Sequence, residues 1–167
     1  VMVENISSVR PQAGLNEAGV VYEALAEGGI TRFMLMFAGG EAEKIGPVRS
    51  ARSYYLEWLS EYDAMYVFSG AYPPVLQAVS GLGIKNINAM YNGSKYYWRD
   101  SSIGAPHNLF TSSDKINLAL RDNDYSDIES DYQQWSFKDE AKESERAAGD
   151  QEITIDFSTA GYTVEYK

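Results

Sequence analysis

The sequence predicts an α/β or α+β fold: a layered sandwich with a mixed β-sheet, β-hairpins and about three helices. Three observations predict it. Short β-rich runs alternate with helical stretches in the order β, ββ, α, β, α, ββ, α, ββ. The dipeptides Gly28-Gly29 and Asn92-Gly93 each separate two β-rich runs, a hairpin signal. Hydrophobic residues form 44% of the 167 residues, enough to fill a core.

Each element follows from local pattern. Val1–Glu4 reads as the end of a strand, and Arg10–Gly14 as a loop. Val20–Glu27 and Ile30–Phe37 flank Gly28-Gly29 and predict a two-residue hairpin; a helix over Leu15–Glu27 is the competing reading. A break at Gly46-Pro47 precedes an amphipathic helix over Ser50–Glu61, with Ala51, Tyr54, Tyr55, Trp58 and Leu59 at helical spacing. Ala64–Phe68 is a short apolar strand. Pro74 opens the next helix, with Val75, Leu76, Val79 and Leu82 as its buried stripe and Gly83 as its stop. Ile84–Tyr91 and Ser94–Arg99 form the Asn92-Gly93 hairpin, and Ser112–Arg121 is helical with a serine cap.

The chain divides into a main domain over 1–122, an acidic and poorly packed connector over 123–150, and a terminal β-hairpin over 151–167. Within the connector, Trp135 and Phe137 are the expected anchors and 138–147 the expected helix. The chain opens and stops in strand-like stretches, which suggests a piece of a longer protein.

Net charge is −10, unevenly spread. Residues 1–115 hold nine basic and eleven acidic groups; residues 116–167 hold five and thirteen. With no basic stripe, nucleic-acid binding and adhesion to anionic lipid are both disfavoured. No stretch is long and apolar enough to span a membrane, and no signal peptide is present. Absence of cysteine removes thiolate metal sites, disulfides and cysteine nucleophiles. With one histidine, zinc is disfavoured as well, while a carboxylate-held hard cation stays open. No metal and no cofactor is implied; oligomeric state is not legible.

The chemistry concentrates in two stretches. In Lys44-Ile45-Gly46-Pro47-Val48-Arg49-Ser50-Ala51-Arg52, two arginines three apart share a face if the helix begins there. Cations at a helix start oppose its dipole, so a bound anion or a salt bridge to Glu23, Glu27 or Asp100 is expected to compensate them. Arg32 opens the second strand of the Gly28-Gly29 hairpin; a two-residue turn places it on one face with Glu23 and Glu27. The second stretch runs from Trp98-Arg99-Asp100-Ser101-Ser102 to Ala105-Pro106-His107-Asn108. Asp100, a serine and His107 supply the residue types of a nucleophilic triad, but no Gly-x-Ser-x-Gly elbow accompanies them. The candidate ligand-binding residues are therefore Glu27, Arg32, Arg49, Arg52, Arg99, Asp100, His107 and Asn108, with Asp100 and His107 as candidate acid–base groups. The thirteen tyrosines and three tryptophans suit sugar or isoprenoid contacts, or ordinary core packing.

The blocks Arg10-Pro11-Gln12-Ala13-Gly14-Leu15, Glu27–Arg32, Ile45–Arg52, Tyr91-Asn92-Gly93, Trp98–Ser102 and Ala105–Leu109 resemble the YerB-like family of candidate bacterial lipoproteins, a domain of unknown function. The resemblance spans roughly residues 1–115. It implies export, an N-terminal lipid anchor outside this sequence, a further C-terminal domain beyond Lys167 and no established activity. A distant likeness in pattern to the LytR-type cell-wall phosphotransferases adds a possible role for Arg32 and Arg49 at a polyprenyl pyrophosphate. The expectation is an extracytoplasmic, lipid-anchored surface protein whose partner is an anionic small molecule or cell-wall precursor. A non-catalytic interaction module and an envelope phosphotransferase or hydrolase are the alternatives.

Overall fold

A computed structural model describes residues 1–125, 135–136, 138–146, 149, 152–157 and 159–166. The fold is α+β, with four α-helices and several small sheets among the described residues. Strand β1 (Met2–Glu4) pairs antiparallel with β3 (Thr31–Met36), which pairs antiparallel with β2 (Val20–Leu25). Strand β4 (Tyr66–Phe68) pairs in parallel with β5 (Asn86–Asn88). The extended segment 47–51 joins the two sheets. Toward β1, Arg49 N donates to Met2 O and Glu4 N to Pro47 O, both at 3.0 Å; toward β4, Ser69 N donates to Arg49 O and Ala51 N to Gly70 O, again at 3.0 Å.

Strand alternation divides the core into two layers. Val3, Leu35, Val48, Val67 and Ile87 face one side, where Tyr97, Leu109 and Ala119 complete a cluster. Met2, Met34 and Phe68 face the other, packed against α1 (Ser53–Ser60) and α2 (Pro73–Gly81) through Tyr55, Leu56, Leu59, Val75 and Val79. Helix α3 (Ala89–Tyr96) and helix α4 (Ser113–Asp122) meet the first layer through Tyr96 and Ala119. As its sequence promised, Ser112 caps α4, its hydroxyl accepting from Lys115 N at 3.3 Å. Strands β6 (Trp98–Arg99) and β7 (Leu109–Phe110) form a short antiparallel pair around the loop that holds His107.

Several elements depart from the sequence reading. The Gly28-Gly29 hairpin forms, but Glu27–Gly29 is a 3₁₀ turn and Ala26 N donates to Ile30 O at 2.7 Å. Recruiting Ala26, Glu27 and Ile30 into the turn pairs Leu25 with Thr31 and Ala24 with Arg32. A one-residue slip reverses every side chain, so Arg32 does not share a strand face with Glu23. Helix α1 starts three residues later than expected, because backbone bonds to β1 and β4 hold 47–51 extended. Arg49 and Arg52 therefore do not share a helical face. Asn92-Gly93 is not a hairpin: it lies within α3, where Gly93 at φ 50° and ψ −140° separates two helical turns. Asn88 starts that helix by accepting from Met90 N, and Asn92 Oδ1 accepts from Asn88 N at 2.9 Å. The stripe of α2 ends at Val79, since Leu82 is 68% exposed.

In the acidic stretch the described residues are exposed except half-buried Tyr125. Only a 3₁₀ turn at Glu143–Glu145 replaces the expected helix, and Trp135, 51% exposed, is not an anchor. Phe137 lies outside the described residues. The last two strands, β8 (Ile153–Asp156) and β9 (Thr163–Tyr166), pair antiparallel. Their turn rests on the main body: Arg10 Nη1 donates to Gly161 O at 3.0 Å and its guanidinium lies 4.6 Å above the Tyr162 ring.

Candidate functional site

Register places the first two charges. Glu4 ends β1 and sits directly opposite Arg32 of β3, and both side chains are buried in the sheet. Arg32 is only 5% exposed. Its Nη1 donates to Ser50 O at 2.9 Å, while its Nε has no partner. Among the described residues, no carboxylate lies within ion-pair distance of this guanidinium. Tyr55, rising from α1, fixes the local backbone by donating its hydroxyl to Arg32 O at 2.5 Å.

The extended segment and the N-cap of α1 add two more cations. Arg49 Nε lies 3.2 Å from Glu4 Oε1, close enough to pair as charges although not aligned as a hydrogen bond. Arg52 grips Glu27 with both arms of its fork, Nε to Oε1 and Nη2 to Oε2, each at 2.5 Å. This pairing holds the Glu27 carboxyl down to about 2. The groups act on one another. Burial pushes the Arg32 guanidinium below its ordinary value; the charges of Arg52 and Arg49 push it further, and those of Glu27 and Glu4 push back.

His107 reaches the same place from the β6–β7 loop, its Nδ1–H donating to Glu4 Oε2 at 2.8 Å. The neighbouring Pro106 O lies 3.5 Å from Arg49 Nη1. Glu4 is thus the hub that ties β1 to both Arg49 and His107. Sequence reasoning missed it as a site residue. Its signal was a charged side chain at a position alternating with Met2, on the buried face of an apolar strand.

Of the expected site residues, the structure brings together Glu27, Arg32, Arg49, Arg52 and His107. It joins the rest to one another. Arg99 Nη1 donates to Asn108 Oδ1 at 2.7 Å, and Asn108 Nδ2 donates to Asp100 O at 3.2 Å. Asp100 pairs with Lys44 at 2.6 Å and accepts from Ser102 Oγ at 2.5 Å. The Lys44 bond, with help from Ser102, holds its carboxyl well below the usual carboxylate range. His107 bonds to Glu4 rather than Asp100, so the residue types of a triad are present but not assembled. Glu23 is absent from the cluster too; it accepts from Thr31 Oγ1 and Asn5 Nδ2 on the other face of the hairpin. No group of three His, Asp or Glu side chains among the described residues is close enough to hold a metal ion.

An α+β domain with a cation-rich cluster built around a buried arginine at one place on its sheet is the class that fold and site define. Residues 1–126 match the family described as "Protein of unknown function (DUF3048) N-terminal domain", and the chain belongs to that family. It is 37% identical over 125 residues to YerB of Bacillus subtilis (strain 168), described as a candidate lipoprotein. That match covers 75% of this chain and 38% of the relative. The crystal structure of Bacillus subtilis YerB superposes with a TM-score of 0.71 at 37% identity, covering 75% of this chain and 43% of that one. The chain therefore spans less than half the length of these relatives. Among the described residues, no helix is long and apolar enough to cross a membrane.

Proposed function

We propose that this is an extracytoplasmic, lipid-anchored envelope protein whose arginine cluster holds an anionic ligand of phosphoryl or acidic-glycan type. The relative described as a candidate lipoprotein supports the anchoring. One observation carries the ligand: three guanidiniums, Arg32, Arg49 and Arg52, share an environment with two carboxylates, Glu4 and Glu27. Arg32, the most buried, is the one without a carboxylate of its own. Like charges that act on one another repel unless a further anion joins them, and desolvation makes the repulsion stronger. A phosphoryl group would meet guanidinium forks suited to its oxygens.

The interaction-module reading has its own support, because Glu4 and Glu27 already engage Arg49 and Arg52. Transferase or hydrolase chemistry would need an acid–base group at the ligand, and His107 is the group in reach.

Thermal unfolding of the full chain with inorganic phosphate, pyrophosphate, glucuronate and a polyprenyl phosphate separates these readings. A ligand that binds only the folded state adds about 2.7 kcal/mol at a hundredfold excess over Kd. Arg49→Ala and Arg52→Ala are expected to remain folded and lose that response. If both variants unfold and the wild type ignores every anion, the arginines are struts and the interaction-module reading stands.

A further inference from the structure

A cleft of about 380 Å³ opens beside α3, between the segments that follow β4 and β5 and the β6–β7 pair. We infer that it is a second ligand site, separate from the arginine cluster, for a small ring-bearing carboxylate.

Position is the first argument. Ser69 directly follows β4, and Ala89 and Met90 directly follow β5, so the cleft lies at the carboxyl ends of the one parallel pair among the described strands. Such ends are where open α/β sheets receive ligands, since the following loops diverge there. Asn88 holds the two loops together: its Oδ1 accepts from Gly70 N at 2.8 Å and Met90 N at 3.1 Å. The Nδ2 of the same buried amide has no partner. Gly93, which lines the cleft, has open space where a Cβ would stand.

Chemistry is the second. Ala89, Met90, Trp98 and Leu109 supply apolar wall, and the volume suits one or two rings; ligand pockets start at roughly 300 Å³. The hydroxyls of Ser69 and Ser94 have no hydrogen-bond partner among the described residues. The nearby charges are spoken for, Lys44 by Asp100 and Lys95 by Asp122. Arg99 alone on this wall has no carboxylate within ion-pair distance among the described residues, its one bond going to neutral Asn108. A single planar fork matches a monoanionic carboxylate, whereas a phosphoryl dianion is better served by the three guanidiniums elsewhere. A ring lying against Leu109, which sits opposite Arg99 across β6–β7 and so shares its face, brings its carboxylate to Arg99.

The test is methyl NMR of Met90 in the full chain, titrated with benzoate and glucuronate and with their neutral counterparts, benzyl alcohol and glucose. At least one acid is expected to shift the Met90 methyl saturably and to bind roughly tenfold more tightly than its neutral counterpart. Which acid does so distinguishes an aromatic from a sugar ligand. Arg99→Gln should remove that preference, Ser94→Trp should fill the cleft and abolish the shift, and Arg49→Ala should leave it unchanged. Melting curves establish that each variant is folded. Absence of a saturable shift with either acid, equal binding of neutral and acidic probes, or loss of binding in Arg49→Ala would each overturn the inference. The Arg49→Ala arm also keeps its failure distinct from failure of the arginine-cluster reading.

Discussion

Two charged regions of this molecule are built from the same residue types and behave differently. Around Arg32 the central pair, Arg32 and Glu4, is buried, cations outnumber carboxylates, and Arg32 Nε has no hydrogen-bond partner. Around Asp100 the groups lie nearer solvent: the Lys44–Asp100 pair has side chains 39% and 22% exposed, and Ser102 and Asn108 complete its bonds. Burial, more than residue type, separates them. Near water a carboxylate and an ammonium pair cheaply and gain little. Away from water each charge costs several kcal/mol, so a surplus cation persists there only with compensation.

The sharpest way to break this contrast is Glu4→Gln. It removes the buried carboxylate shared by Arg49 and His107, and about 3 kcal/mol of stability should go with it, read from urea unfolding. A loss as small as that of an exposed pair would put the two regions on one footing. Next in size is Tyr55→Phe. It leaves Arg32 O without its buried donor and should cost about 1 to 2 kcal/mol in the same measurement, with the anion response preserved. Asp100→Asn is expected to shift the urea midpoint much less than either and to leave anion-induced stabilisation intact, because its partners lie nearer solvent and outside the arginine cluster.

The smallest effect is a pH dependence. Pairing with Arg52 lowers the folded-state value of Glu27 to about 2, from an ordinary 4.5. Its contribution is therefore complete above about pH 4.5 and lost as pH falls through 2. With Glu27 68% exposed on its side chain, solvent screening limits that contribution to under about 1 kcal/mol. Glu27→Gln should narrow the stability difference from wild type across that window, as seen in melting temperatures between pH 7 and 2.

The two regions were also unequally legible. The arginine pair stood out because Gly46-Pro47 isolates it, and His107 because it is the single histidine. Arg32 was singled out but set on the wrong face. Its orientation depends on how many residues the Gly28-Gly29 turn consumes, which tertiary contacts decide. Glu4 alternates with Met2, but its role as a hub was not legible, since a lone acid at a strand end resembles a solvated terminus until β3 and segment 47–51 enclose it. Asn92-Gly93 illustrates a different limit. Positive φ at glycine serves a hairpin turn and a break within a helix equally well, and the parallel pairing of β5 with β4 selects the second. The helix cap of α4 was legible because it is local; the alternation that divides the core into two layers was legible in outline because its period survives any register.

Segment 47–51 has a consequence for the order of assembly. Its backbone hydrogen-bonding partners are residues 2–4 on one side and 69–70 on the other, with Leu109 accepting from Val48 N, none of them a sequence neighbour. The positions of Arg49 and Arg52 therefore require two loops to close, each tens of residues long, before any contact rewards the lost chain entropy. Local propensity cannot build this arrangement in advance. The helices can form while the arginines are still far from Glu4, and the charges meet only when both strands arrive. Folding monitored through the Glu4–Arg49 contact should lag behind helix formation, and a fragment lacking residues 1–4 should keep helical signal without the cluster.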